Sequence, residues 1–61
     1  MSVVITGATG GVGEELARLY SSKGYDLILM GRDGKNLEIL ATDLASQTGV
    51  SVRTFSFDVL N

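Results

Sequence analysis

Apolar side chains along this chain follow two alternating rhythms. Ser2-Val3-Val4-Ile5-Thr6 is a short β-branched run that stops at a glycine, which predicts a strand. From about Val12 the spacing changes. Val12, Leu16, Leu19 and Tyr20 recur at three- and four-residue intervals and define an apolar stripe on a helix. Glu14 and Glu15 fall in its first turn, with Arg18 and Lys23 later, the order a helix dipole favours. Gly24 is the expected stop. Tyr25-Asp26-Leu27-Ile28-Leu29-Met30 returns to strand character, with its apolar residues in one unbroken run. Gly31-Arg32-Asp33-Gly34 reads as a turn in which Asp33 can cap the next helix. Leu37, Leu40, Ala41 and Leu44 form a second helical stripe, ended by Gly49. Val50 to Phe57 is a third strand, rich in β-branched and aromatic residues, and Asp58-Val59-Leu60-Asn61 follows it.

The order strand, helix, strand, helix, strand implies a parallel sheet joined by helical crossovers. Right-handed crossovers with strand order 3-2-1 put both helices on one face of that sheet. Yet Val3-Val4-Ile5 and Leu27-Ile28-Leu29-Met30 are apolar toward both faces, as in sheets covered on both sides. The expected fold is therefore α/β, a three-stranded part of an incomplete doubly wound sheet. The open face calls for cover, either from more of the same chain or from a second copy. A homo-oligomer is the expectation, and the isolated chain should self-associate or be unstable.

Composition narrows the partners. At 61 residues the chain is at the low end for independent folding. It has no Cys or His for a disulfide or a Cys/His metal site, and no metal is expected. The net charge is −2 and the five basic residues are scattered, which argues against nucleic acid. No apolar run approaches the ~20 residues of a membrane span, and the N-terminus lacks the pattern of a secretion signal. No membrane partner is expected, and a cytoplasmic location is. No repeat, low-complexity tract or interdomain linker divides the chain.

The chemistry is concentrated in Thr6-Gly7-Ala8-Thr9-Gly10-Gly11-Val12-Gly13, between the first strand and the first helix. Phosphate oxygens need donors and close backbone approach. A helix N-terminus supplies unpaired N–H groups and partial positive charge. Gly7 lets the chain leave the strand sharply, Gly11 lets the backbone approach a pyrophosphate, and Gly13 lets the helix pack tightly. The spacing is Thr-Gly-x-x-x-Gly-x-Gly, with Gly10 in addition, and differs from the common Gly-x-Gly-x-x-Gly fingerprint. No Gly-Lys-Ser/Thr ends the loop, so triphosphate–magnesium binding is not expected.

This loop resembles the cofactor loop of the short-chain dehydrogenase/reductase family. The resemblance continues through Leu29-Met30-Gly31-Arg32-Asp33, Leu37 to Leu44, and Asp58-Val59, in the right order over essentially the whole chain. It implies that residues 1–61 are the N-terminal βαβαβ half of a Rossmann dinucleotide-binding domain, with no second domain. It also implies that Gly7, Ala8, Thr9, Gly10, Gly11, Val12 and Gly13 hold the pyrophosphate. In the family, a carboxylate ending the second strand bonds the ribose 2′-hydroxyl of NAD. Gly31 stands there and Arg32 follows, with a planar fork suited to the 2′-phosphate of NADP. NADP is thus the expected cofactor, with NAD the alternative. Asp33 is a candidate ribose ligand that could also repel the phosphate, or it caps the second helix. By the same resemblance Asp58 accepts from the adenine amino group and Val59 lines the adenine pocket. Lys35 and Arg53 read as solvated, and Tyr20, Tyr25, Phe55 and Phe57 as packing residues.

The family's catalytic serine, its Tyr-x-x-x-Lys pair and its Asn-Asn-Ala-Gly segment are not among these residues. Tyr20 and Lys23 have the wrong spacing. No catalytic residue is expected in this chain, and the chain alone should be inactive. The leading reading is the cofactor-binding N-terminal portion of an NADP-dependent short-chain oxidoreductase acting on a carbonyl or alcohol. The alternative is a non-catalytic nucleotide-binding or sensor protein that retains only the loop. A methyltransferase-like half-domain ranks last, because Thr6 and Gly31 stand where it generally has acidic residues.

Overall fold

The computed structural model describes residues 1–57. The element order is β1 (Ser2–Thr6), α1 (Gly11–Ser22), β2 (Asp26–Gly31), α2 (Gly34–Thr48) and β3 (Val52–Ser56). The three strands form one parallel sheet with β2 in the middle, the expected 3-2-1 order. β2 starts and ends one residue later than its apolar run suggests, because Tyr25 is held in the turn after α1 by its N–H on the Tyr20 carbonyl (3.1 Å). β3 starts two residues later than expected. The Val50 N–H turns to Thr48 Oγ1 and the Ser51 N–H to Asp26 Oδ1, so side chains take the places of ladder partners.

Both helices lie on one face. Ile5, Leu27 and Leu29 point from the sheet into a core completed by Ala17 of α1 and Leu37, Leu40, Ala41 and Leu44 of α2. The α2 stripe is the one the spacing predicts. The α1 stripe is not. Val12 is 74% exposed, and Leu16 and Leu19 are also exposed, whereas Gly13, Ala17 and Ser21 are buried. Of the predicted stripe only Tyr20 packs against the core, with its ring edge-on to Tyr25. The buried row is one residue further along, a rotation of roughly 100° about the helix axis. Its cause is a backbone contact. A Cβ on Gly13 would collide with the Gly7 carbonyl oxygen, so this residue must face the loop and the helix turns to suit it.

The opposite face of the sheet carries Val4, Ile28, Met30 and Phe55, in register as Val4 with Ile28 and Met30 with Phe55. Val4 and Phe55 are more than half exposed, and Phe57 is exposed as well. The two phenylalanines therefore do not pack beneath the helices, because the alternation of β3 directs Phe55 away from them. Among the described residues no helix is long and apolar enough to cross a membrane.

Candidate functional site

The loop after β1 is built by backbone bonds. Gly7 has φ +65°, a left-handed conformation that turns the chain sharply at the end of the strand without a Cβ penalty. The Gly10 N–H closes the turn on the Gly7 carbonyl at 3.0 Å. Ala8, fully buried, donates its N–H to the Met30 carbonyl at 3.2 Å and so ties the loop to the end of β2. Gly13, in the first turn of α1, packs on the same Gly7–Ala8 backbone, where a Cβ would lie 2.9 Å from the Gly7 carbonyl carbon and 3.0 Å from Ala8 Cα. Gly13 thus makes its close contact with the loop itself and not with the strand. Side chains are excluded by geometry at Gly7 and Gly13, and Gly11 adjoins open space.

The two helix N-termini are treated differently. α2 is capped: Asp33 Oδ1 accepts the Asn36 backbone N–H at 3.1 Å, and Asp33 Oδ2 accepts from Asn36 Nδ2 at 2.6 Å. α1 begins after Gly10, which has no side-chain cap. The first N–H groups of a helix have no intrahelical carbonyl, and at the start of α1 no side chain caps them. Together with the helix dipole they suit an anion such as a pyrophosphate. Glu14, in that first turn, would compete for the same positive end. Arg18 takes its carboxylate at 3.0 Å and reaches Asp43 of α2 at 3.2 Å. The Glu14 hydrogen bond, followed by that of Asp43, raises the Arg18 pKa above its usual range.

The second part of the site is the end of β2. Gly31 is buried, and a Cβ there would stand 4.0 Å from the Ala8 nitrogen and 3.8 Å from the Leu37 methyl carbons. The Gly31–Asp33 turn therefore adjoins the glycine loop at the same edge of the sheet. Arg32 is exposed there. Asp33, expected as a ribose ligand or as a helix cap, caps α2 in this structure. The Phe57 N–H bonds the Gly31 carbonyl at 3.0 Å and brings the end of β3 alongside. Asp58 and Val59, the expected adenine contacts, lie outside the described residues. The loop meets the end of β2 through the buried Ala8, while Thr9 in the loop and Val12 at the start of α1 are exposed, as are Arg32 and Asp33 in the turn after β2.

A groove of about 420 Å³ runs between the helices, with Thr9 and Asn36 at the loop end and Arg18 and Asp43 farther along. It touches the glycine loop only through Thr9. The spacing of apolar residues did not show the side-chain bond between Asn36 and Asp33, or the Arg18 bridge between helices. Asp33 as an N-cap residue type was the available signal for the cap, and the further bond from the Asn36 side chain had none.

The chain resembles known proteins along its whole length. A family model for short chain dehydrogenase matches residues 1–61. A very-long-chain 3-oxoacyl-CoA reductase of Phaeosphaeria nodorum is 42% identical over 57 residues, covering 90% of this chain and 17% of that protein. Dehydrogenase/reductase SDR family member 7B of Bos taurus is 46% identical over 52 residues, covering 85% of this chain and 16% of that protein. The chain thus spans about a sixth of the length of these curated relatives. Among solved structures, a short-chain dehydrogenase from Sphingobium yanoikuyae in complex with NADPH matches with TM-score 0.91 at 38% identity, over 95% of this chain and 23% of that one. An alcohol dehydrogenase from the archaeon Thermococcus sibiricus complexed with 5-hydroxy-NADP gives TM-score 0.90 at 41% identity, over 95% and 25%. The shared loop, strand order and sequence lead to one conclusion: the chain, a Rossmann-like half-domain, belongs to the short-chain dehydrogenase family.

Proposed function

We propose that this chain is the cofactor-binding N-terminal portion of an NADP-dependent oxidoreductase that acts on a carbonyl or an alcohol. The observation that carries the reading is the cradle itself: an uncapped α1 behind a turn in which Gly13 sits directly on the Gly7 carbonyl. The backbone N–H groups of the first turn of α1 would hold the pyrophosphate. Arg32 would hold the 2′-phosphate, beside a Gly31 that brings no carboxylate. Both Asp33 oxygens accept from Asn36, which holds that carboxylate on the first turn of α2. Support also comes from the solved relatives, two of which were obtained with NADPH or 5-hydroxy-NADP. When bound, the nicotinamide supplies or accepts the hydride. These 61 residues contain no Tyr-x-x-x-Lys pair to move the accompanying proton. On this reading they bind cofactor and do not turn over substrate alone.

The test is calorimetric titration of the full-length protein with NADPH and NADH, repeated for Arg32→Ala. A charge-assisted hydrogen bond contributes about 1.5–3 kcal/mol, so the variant should bind NADPH about ten- to a hundredfold more weakly and NADH unchanged. Equal affinity for the two cofactors, or an Arg32→Ala variant that keeps NADPH affinity, would refute the assignment.

A further inference from the structure

Asp33 stands next to Arg32 at the edge proposed for the adenosine ribose, and its carboxylate has conflicting uses there. Free, it could accept from ribose hydroxyls, which favours a cofactor without a 2′-phosphate, and its charge would repel a phosphate. The structure shows it committed elsewhere. The bond from the Asn36 backbone N–H to Oδ1 is an ordinary helix cap that any residue but proline at position 36 would supply. The bond from Nδ2 to Oδ2, at 2.6 Å, depends on the Asn36 side chain. Both residues are exposed, so burial does not hold the carboxylate in place. Asn36 also shares the interhelical groove with Thr9 of the glycine loop, which puts the clamp beside both halves of the proposed site.

We propose that Asn36 is a positioning residue for cofactor selection: it holds the Asp33 carboxylate down on the first turn of α2 and leaves the ribose edge to Arg32. This rests on the NADP reading above. Held there, the carboxylate is offset by the helix dipole and by two donors, and each oxygen already accepts one bond on the side of α2. Without the Asn36 side chain, a single bond to an exposed backbone N–H is left, and the carboxylate can swing out of the cap toward the ribose edge. A unit charge brought to roughly 6 Å in water-like dielectric shifts an equilibrium by at most about threefold against a single charge and about tenfold against a doubly charged phosphate, which bounds the effect of letting the carboxylate swing out.

The experiment compares 2′,5′-ADP with 5′-ADP by calorimetry, using the full-length protein, Asn36→Ala, Asp33→Asn and the double variant. Asp33→Asn keeps a good capping side chain and removes the charge. Asn36→Ala should lower the ratio of 2′,5′-ADP to 5′-ADP affinity measurably, by up to about tenfold, with the melting temperature close to the parent. In the Asp33→Asn background the same substitution should leave the ratio unchanged. An unchanged ratio in Asn36→Ala, or an equal fall in both backgrounds, overturns the proposal. Arg32→Ala in the same titration separates the two readings. If Arg32→Ala lowers the ratio and Asn36→Ala does not, only the clamp fails; if Arg32→Ala leaves it unchanged, the NADP assignment itself fails.

Discussion

Replacing Gly13 by alanine tests whether the loop is a rigid cradle or a flexible turn. The new Cβ would run into the Gly7 carbonyl oxygen and stand 2.9 Å from its carbon and 3.0 Å from Ala8 Cα. All of these are backbone atoms. The Gly7 carbonyl also accepts from the Gly10 N–H, and the Ala8 N–H is held by Met30, so the loop cannot shift without loosening two hydrogen bonds. Overpacking of this kind costs about 1–3 kcal/mol. Alanine in place of glycine in a helix recovers about 0.5–1 kcal/mol. The expected net loss is thus about 1–2 kcal/mol, read from urea unfolding followed by circular dichroism on the full-length protein. Gly11→Ala is the matched control. Gly11 opens α1, has no positive φ, and a Cβ there meets nothing within 4 Å. That variant should unfold at or slightly above the parent midpoint. On the proposed reading it should nevertheless bind NADPH at least about tenfold more weakly, because the added methyl holds the pyrophosphate off the backbone. A Gly13→Ala protein as stable as the parent would refute the rigid contact. A Gly11→Ala protein with parental NADPH affinity would refute close approach at that residue.

Two further outcomes follow from the packing. Leu37 is fully buried and touches the space beside Gly31, so Leu37→Ala should cost about 2–5 kcal/mol in the same unfolding assay, and a loss under about 1 kcal/mol would contradict its place at the centre of the core. The open face carries Val4 at 56% and Phe55 at 52% exposure, with Ile28 and Met30 between them, so the 61-residue chain should self-associate in sedimentation velocity and do so less with Val4→Lys and Phe55→Lys combined. A concentration-independent monomer would disprove that.

The strand order and α2 were legible because their apolar spacing coincides with what they bury. In α2, Leu37, Leu40, Ala41 and Leu44 are both the large apolar row and the core row. In α1 the two rows differ. Its large side chains Val12 and Leu16 sit one position before the small ones that face the core, Gly13 and Ala17, and Leu19 is exposed as well. Apolar periodicity weighs size, whereas close approach to a loop selects smallness. The rotation of α1 is set by the contact of Gly13 with Gly7, and Gly13 was legible only as part of the glycine pattern. The same spacing that announces a phosphate loop therefore also fixes the helix, and a reading that treats the two separately places the wrong face inward.

The site was legible in its residue types and not in their pairings. Glycine spacing located the loop, and Gly31-Arg32 located the ribose edge, because both are consecutive in sequence. What Asp33 does depends on a rotamer, which no spacing reports. α1 and α2 start at the same edge of the sheet, each with its first N–H groups lacking intrahelical partners, and either could in principle attract an anion. Asp33 and Asn36 close the end of α2, while Gly10 leaves α1 open. On the proposed reading, a closed end beside an open one favours α1 for the pyrophosphate and draws the Asp33 carboxylate onto α2. On that reading the choice between Arg32 and Asp33 falls to Arg32, and Asn36, three residues beyond the cap, is grouped with the proposed cofactor site although apolar patterning assigns it only to a helix surface.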